Sequence, residues 1–374
     1  MTDIMRVLAV VPSVYDTSPG QRFRIEQWEP FLRDAGIDIT WAPFETDELR
    51  SVLYRRGELL AKFNAVRHEM SRRRRELKDV SGYDLVYLFR EAALMGPPWF
   101  ERRLAASGVP VIFDFDDAIF HSYKSPSNGY LSYLKFPGKT AEICRLSTHI
   151  MAGNEYLAEY ARENNDKVTI VPTTIDTEKY QLVERYQEPD PVTIGWSGSF
   201  STIQHLDTLR SVLSDLARTE RFRLRVIGTP QYEVEGVDVE AFNWRSETEV
   251  EDLSAIDIGI MPLPDDNWSK GKCALKALQY MALGIPTICS PVGVNSTIID
   301  DGVNGYLAAG GDEWVGKLRR LIHDPALRKT VGRAGRKTVE ERYSAKVVAP
   351  VVAKIFENAV RTPDLRAAQT SVGG

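Results

Sequence analysis

Cysteine is scarce in this chain. Cys144, Cys273 and Cys289 stand far apart with no C-x-x-C spacing, which excludes a disulfide scaffold and a cysteine zinc site and suits a reducing compartment. The five histidines include no H-E-x-x-H pair. Positive charge is not in excess: 47 Lys and Arg against 52 Asp and Glu give a net charge of -5, which excludes a globally basic nucleic-acid binder. No apolar run approaches the roughly 18 residues that a membrane span needs. The N-terminal run 7–11 is short, stops at Pro12 and has only Arg6 as a basic flank, so it does not read as a secretory signal. A cytoplasmic protein is expected, at most peripheral to the inner face of a membrane. Internal repeats and low-complexity tracts are absent as well.

What is present is an ordinary globular balance over 374 residues, 43% hydrophobic and 26% charged. At roughly 150 residues per domain this is about two domains, each able to build a core without staples. Apolar runs at 6–11, 37–40, 85–89, 109–113, 149–151 and 168–171 read as strands, with a Ser/Pro/Gly loop at 12–20 and a helix from about 21 to 35. Their lack of polar alternation predicts parallel strands covered by helices on both faces. The polar stretch 181–191 reads as a linker. A second set follows, with strands at 193–196, 222–227, 237–239, 256–261 and 286–289 and helical periodicity at 206–217 and 274–283. The fold class is α/β, two successive Rossmann-like doubly wound domains, expected to face each other across a cleft that takes a small molecule. The boundaries are 1–180 and 181–345, and the tail 361–374, poor in apolar residues, is expected to be disordered.

Several segments carry groups suited to chemistry. Gly20, Arg22 and Arg24 open a helix after the first strand, either as an anion-binding turn or as a plain strand-to-helix connection. Asp114, Asp116 and Asp117 follow a buried strand, where carboxylates are costly unless solvated, paired or used. They suit sugar hydroxyls, a general base or a metal, or else one caps a turn or pairs with Arg90. Gly198 and Ser199 follow the first strand of the second half and permit close backbone approach to a phosphate or sugar. Lys272 precedes a helix N-terminus, against the helix dipole unless an anion is shared there, and Lys276 lies one turn on. Gln279 follows on the same helix. Gly293 and Asn295 lie in a Gly/Asn loop, and 301–305 is a turn signal. Phe242, Asn243 and Trp244 either contact a base or pack the core. Residues 50–78 hold ten Lys or Arg against three Glu, a net of +7, with Leu53, Leu59, Leu60, Phe63 and Val66 as apolar positions. This is either a basic amphipathic helix for an anionic bilayer or a solvated face.

Residues 272–286 (Lys-Cys-Ala-Leu-Lys-Ala-Leu-Gln-Tyr-Met-Ala-Leu-Gly-Ile-Pro) resemble the signature helix of family 4 retaining glycosyltransferases, group 1-like enzymes with the GT-B fold. Residues 154–157 and 171–176 resemble the end of that family's N-terminal domain. Those at 194–198 resemble its first C-domain strand and loop, 257–263 the strand before the donor site, and 301–307 a marked turn. The resemblance implies a metal-independent enzyme without a cofactor, whose co-substrate is a nucleotide-sugar, a UDP- or GDP-sugar, held mainly by the C-terminal domain. The acceptor, a saccharide, lipid-linked glycan or small molecule, enters through the N-terminal domain, and the last helix, 346–360, returns to that domain.

The sequence departs from the family at informative places. Gly271 and Gln279 stand where two glutamates are common, Ser199 and Gln204 where an Arg and a Lys are common, and Thr297 where a glutamate is frequent; the usual N-domain histidine is not evident. Lys272 is the natural substitute for the diphosphate clamp, and Asp114, Asp116 and Asp117 for the acceptor side. The expected roles are catalytic for Lys272, Asp116 and Asp117, donor-binding for Gly198, Ser199, Lys276, Gln279, Gly293 and Asn295, and acceptor or phosphate-loop for Gly20, Arg22, Arg24, Arg90 and Asp114. No metal ligands and no nucleic-acid partner are expected. Two alternatives are a non-catalytic GT-B partner subunit and a nucleotide-sugar epimerase.

Overall fold

The computed structural model describes residues 4–53, 59–121, 136, 138–184, 188–199 and 201–361. The tail expected beyond Arg361 and the centre of the expected linker lie outside the described residues. The chain divides into two compact units, one of residues up to Pro172 together with those from Val348, the other Thr173–Val347.

The first unit is built on six parallel strands, β1 (Met5–Val11), β2 (Ile37–Pro43), β3 (Leu85–Phe89), β4 (Val111–Phe115), β5 (His149–Ala152) and β6 (Val168–Ile170), in the order β2-β1-β3-β4-β5-β6. Every residue of β3 and β4 is buried, as the continuous apolar runs require of strands covered on both faces. The helix Ala345–Arg361 brings Phe356 against Tyr87 of β3, ring centroids 6.0 Å apart.

The second unit repeats the plan with β7 (Val192–Ser197), β8 (Phe222–Ile227), β9 (Asp238–Phe242), β10 (Ile258–Met261), β11 (Thr287–Cys289) and β12 (Tyr306–Leu307), in the order β12-β11-β10-β7-β8-β9, again parallel. Its core gathers Ile194, Trp196, Leu213, Leu224, Ile260 and Leu318. Both sheets reverse direction once, between β1 and β3 and between β7 and β10. In open α/β sheets ligands bind beyond the carboxyl ends of the strands at such reversals.

Four local expectations are corrected. The strand expected at 109–113 runs two residues further, so Asp114 and Phe115 lie inside β4, paired in register with β3 and β5. The helix expected at 21–35 is broken: a short turn Pro19–Gln21 and a wide π-helical turn Arg22–Glu26 precede the helix Gln27–Asp34, because Phe23 and Arg24 leave helical backbone angles. The helix expected at 206–217 divides into Ile203–Asp207 and Arg210–Ala217. The division between units falls after Pro172 rather than at 180, since Ile175 N–H donates to Tyr343 O (2.8 Å) and Ala345 N–H to Ile175 O (3.0 Å), tying this stretch to the second unit.

Candidate functional site

The reversal point of the first sheet gathers Gly20, Arg90, Asp116 and Asp117. Gly20 follows β1, Arg90 follows β3, and the two aspartates follow β4. Arg90 holds a left-handed backbone (φ 59°) and its N–H donates to Asp114 O (2.8 Å), which turns its side chain back across the strand ends. Its Nε donates to Asp116 Oδ1 at 2.8 Å and its Nη2 to Asp117 Oδ2 at 3.2 Å. Gly20 packs closely on this cluster: a Cβ there would lie 2.8 Å from both Arg90 Nη2 and Asp116 Oδ2, so a larger residue would have to shift these side chains. Two carboxylates fixed by one guanidinium form a rigid set of acceptors suited to hydroxyl groups.

Asp114 and Arg24 do not join that cluster. Both are fully buried. Arg24 donates from Nε (2.7 Å) and Nη2 (2.5 Å) to the two Asp114 oxygens, and from Nη1 to Val171 O at 2.8 Å. Tyr87 Oη–H adds a bond to Asp114 Oδ2 at 2.5 Å. Burial opposes charge on Arg24, but Asp114 beside it more than offsets this and holds the guanidinium protonated. The pair is structural, which corrects the acceptor and phosphate roles expected of both residues. Arg22 is also buried and holds Asp16 through Nε (2.7 Å), which shapes the loop after β1.

Glu26, which carries no sequence signal, organises that same loop. It accepts the Asp16 N–H at 2.9 Å and the Gln21 side-chain amide at 2.6 Å. Burial pushes its carboxyl up to about 7, against the lowering effect of these bonds.

The reversal point of the second sheet brings together Gly198, Lys272 and Lys276. A Cβ on Gly198 would lie 2.1 Å from the Trp196 ring and 2.8 Å from Thr202 Oγ1, so the loop after β7 closes tightly on Trp196. Lys276 Nζ stands 5.5 Å above that ring, and Lys272 Nζ 5.0 Å above the Trp268 ring. Both lysines belong to the N-terminal approach of the helix Leu275–Ala282, whose cap residue Ala274 is left-handed (φ 56°). The helix's own ladder begins with Leu278 N–H donating to Ala274 O (3.0 Å), which directs the N–H groups of the first turn out of the helix end. Gly293 (φ 55°) lets the loop after β11 press on the backbone behind these lysines, since a Cβ there would lie 2.8 Å from Lys270 O. Gly293 therefore positions the lysine loop by packing.

His205, also without a sequence signal, lies on the helix Ile203–Asp207. The residue is 6% exposed and its ring is pushed down to about 4, by burial first and then by the charges of Lys276 and Lys272, with Asp266 acting in the opposite sense.

Three donor-side expectations meet other partners. Gln279 is buried; its amide N–H groups donate to Tyr180 Oη and Glu249 Oε1, both at 3.2 Å. Glu249 also accepts from Tyr180 Oη (2.7 Å) and Trp244 Nε1 (3.0 Å), a hydrogen-bonded network to which the half-buried Trp244 is tied. Asn295 is buried and donates to Ser290 O at 3.0 Å, so it fastens its own loop. Ser199 N–H donates to Thr202 Oγ1 at 2.9 Å, which makes it a turn within the Gly198 loop. Tyr280, one position beyond Gln279, accepts the Ser197 N–H at 2.8 Å and so pins the end of β7.

Residues 191–324 match the family model of group 1 glycosyl transferases. Over 217 residues the chain is 26% identical to the D-inositol 3-phosphate glycosyltransferase of Stackebrandtia nassauensis, covering 49% of this chain and 47% of that protein; the chain thus spans just under half the length of this curated relative. The fold resembles sucrose-phosphate synthase of Thermosynechococcus elongatus (TM-score 0.68, 15% identity, 95% of this chain and 98% of that one). It also resembles HepE of Anabaena, solved in complex with UDP and glucose (TM-score 0.65, 12% identity, 95% and 100%). Residues 191–324 therefore form a group 1 glycosyltransferase domain, in a chain that carries the paired Rossmann-like units of the GT-B fold.

Proposed function

We propose that this chain transfers a sugar from a nucleotide-sugar to an acceptor hydroxyl, with retention of anomeric configuration and without a metal, the second unit holding the donor. The observation that carries this reading is the set of positive groups at the second sheet's reversal point: Lys272, Lys276 and the first turn of the helix Leu275–Ala282, beside the tightly closed Gly198 loop. The diphosphate lies against these groups. As the bond from the sugar C1 to the leaving phosphate oxygen breaks, negative charge builds on the diphosphate and the lysines and helix dipole stabilise it. That side-chain charge does the work a divalent cation does elsewhere. The acceptor hydroxyl attacks C1 on the face the diphosphate leaves, and the departing phosphate oxygen takes its proton. Asp116 and Asp117, fixed by Arg90, accept hydrogen bonds from acceptor hydroxyls.

The donor in this reading is a UDP- or GDP-sugar; the HepE complex with UDP and glucose favours UDP. The acceptor is a saccharide, a lipid-linked glycan or a small molecule. The helix Leu59–Glu76 exposes Leu60, Phe63 and Arg67, spaced three and four residues apart along one face, a face suited to peripheral contact with an anionic bilayer. The test of the reaction is release of nucleotide diphosphate from UDP-glucose and GDP-mannose in the presence of EDTA. Activity is expected with one donor. Lys272→Ala is expected to lower kcat by ~10²–10³ with a smaller change in KM. Unchanged turnover in a folded Lys272→Ala protein would sink the assignment. A second reading, a nucleotide-binding partner subunit without catalysis, draws on the burial of Gln279 in the Tyr180–Glu249 network. It predicts nucleotide binding with no release of product from either donor.

A further inference from the structure

Where the second sheet reverses, its two central strands part. β7 pairs with β10 at Ile194 and Gly195, while its pairing with β8 runs on to Ser197 and that of β10 with β11 runs on to Met261. Gly198 N–H keeps to the β8 side, donating to Ile227 O at 2.9 Å. Successive N–H groups of a strand serve opposite neighbours, so the Ser197 N–H faces the opening on the β10 side. A backbone donor buried there without a partner would cost about as much as a lost hydrogen bond. Ser197 is buried, and its N–H donates to Tyr280 Oη at 2.8 Å. Tyr280 is itself fully buried, on the helix Leu275–Ala282 and one turn beyond Lys276. Its ring lies on Gly259 of β10, where a Cβ would come within 2.4 Å of it. One side chain of the lysine-bearing helix thus touches both strands where they part, and supplies the acceptor that the ladder no longer does.

We propose that Tyr280 is a positioning residue for the diphosphate, fixing the Gly198 loop against the helix that carries Lys276 and follows Lys272. This inference rests on the donor reading above and adds to it the group that keeps its two sides together. Beyond Ser197 the chain enters the Gly198 loop directly. Gly198 is already closed in by the Trp196 ring and Thr202, and by Gly228, where a Cβ would lie 2.0 Å from Gly198 O. The Tyr280 bond closes the loop from the side of the helix. Lys276 Nζ meets the same arrangement from above, 5.5 Å over the Trp196 ring. A diphosphate shared between the loop and the lysines needs both at one spacing, and small misplacements of such groups are costly. Removing the Tyr280 hydroxyl leaves the ring to pack on Gly259 and releases the loop from the helix.

The test titrates the full chain with UDP and GDP by calorimetry, as wild type, Tyr280→Phe, Lys272→Ala and the double variant, with circular dichroism to check each fold. Tyr280→Phe is expected to fold and to bind the nucleotide about 3- to 10-fold more weakly. Both residues serve one diphosphate, so the double variant is expected to lose less than the product of the single losses. A purely structural role leaves the affinity of the folded variant unchanged, or gives losses that multiply. Either result overturns this inference while Lys272→Ala still carries the donor reading. If Tyr280→Phe does not fold, the wild-type backbone decides. The Ser197 and Gly198 N–H signals of nitrogen-labelled protein are expected to shift and to exchange more slowly when the nucleotide binds. Signals that stay in place while those of Leu275 and Lys276 move would overturn the inference. Failure of both nucleotides to bind, or binding indifferent to Lys272→Ala, overturns the donor reading and this inference with it.

Discussion

Asp16, Arg90 and Ala274 each hold a left-handed backbone although none is glycine (φ 61°, 59° and 56°). Each lies at a sheet reversal point. Such angles cost of order 1–3 kcal/mol and persist where the surroundings over-determine them. At Arg90 the gain is the clamp on Asp116 and Asp117; at Ala274 it is the direction of the helix end beside Lys272. The same residue types elsewhere do structural work, and the difference is measurable. Asp114→Ala leaves Arg24 charged and buried without its partner, so a loss of about 3–5 kcal/mol is expected in chemical denaturation. Asp116→Asn leaves Arg90 a second carboxylate in Asp117 and is expected to destabilise less than Asp114→Ala, while raising the acceptor KM. The reverse ordering, with Asp116 the more destabilising, would contradict the division of roles.

The segment 12–26 shows how an element's stability is tied to pH. Glu26 binds its proton more tightly in the folded chain than in the unfolded one, at about 7 against 4.5. The folded state therefore holds more protons between these values, and stability falls as pH rises through this window. Between pH 5 and pH 8 the loss is about 2 to 3 kcal/mol. Glu26→Gln removes the titration and is expected to flatten the stability profile, checked by urea denaturation at several pH values. An unchanged slope would place the titration elsewhere. This segment also marks the limit of what the sequence makes legible. Continuous apolar runs located the strands, but they do not show that β4 extends past Phe113, so Asp114 read as a loop carboxylate. Helical spacing from 21 to 35 hid the wide turn at Arg22–Glu26. Spacing placed Gln279 on the helix after Lys272 but not its partners Glu249 and Tyr180, which lie 30 and 99 positions away. His205 was invisible for the same reason: the lysines that define its surroundings come from a distant helix. Gly20, Arg90, Asp116, Gly198 and Lys272 were legible because a reversal point collects strand-end loops, and strand ends can be read locally.

At the scale of the whole molecule, two copies of one plan carry different loads. The first unit presents a clamped carboxylate pair, the second a set of positive groups. Charge is also divided within the basic segment. The expected helix 50–78 consists of Asp47–Leu53 and Leu59–Glu76, with residues 54–58 and the Leu53 and Leu59 side chains outside the described set. Arg72 and Arg73 turn inward: Arg72 Nη2 donates to Pro43 O (2.7 Å) and Phe44 O (2.9 Å), and Arg73 Nη1 to Ala42 O (2.8 Å). Half of the four-arginine run thus fastens the helix to the sheet, and none of the helices among the described residues is long and apolar enough to cross a membrane. Arg67, Arg74 and Arg75 are exposed on the same helix as Leu60 and Phe63. Leu60→Ser with Phe63→Ser is expected to abolish sedimentation with phosphatidylserine vesicles without altering donor hydrolysis; equal sedimentation of the variant would rule out this face.

In the proposed reaction the second unit binds a nucleotide diphosphate through Lys272 and its helix end without a metal. Isothermal titration of the purified chain with UDP, GDP, ADP and dTDP, with and without Mg²⁺, reads this binding. One nucleotide is expected to bind with the same affinity in both conditions, and Lys272→Ala to weaken it on the order of tenfold or more. Binding that requires Mg²⁺, or that is unaffected by Lys272→Ala, would contradict it.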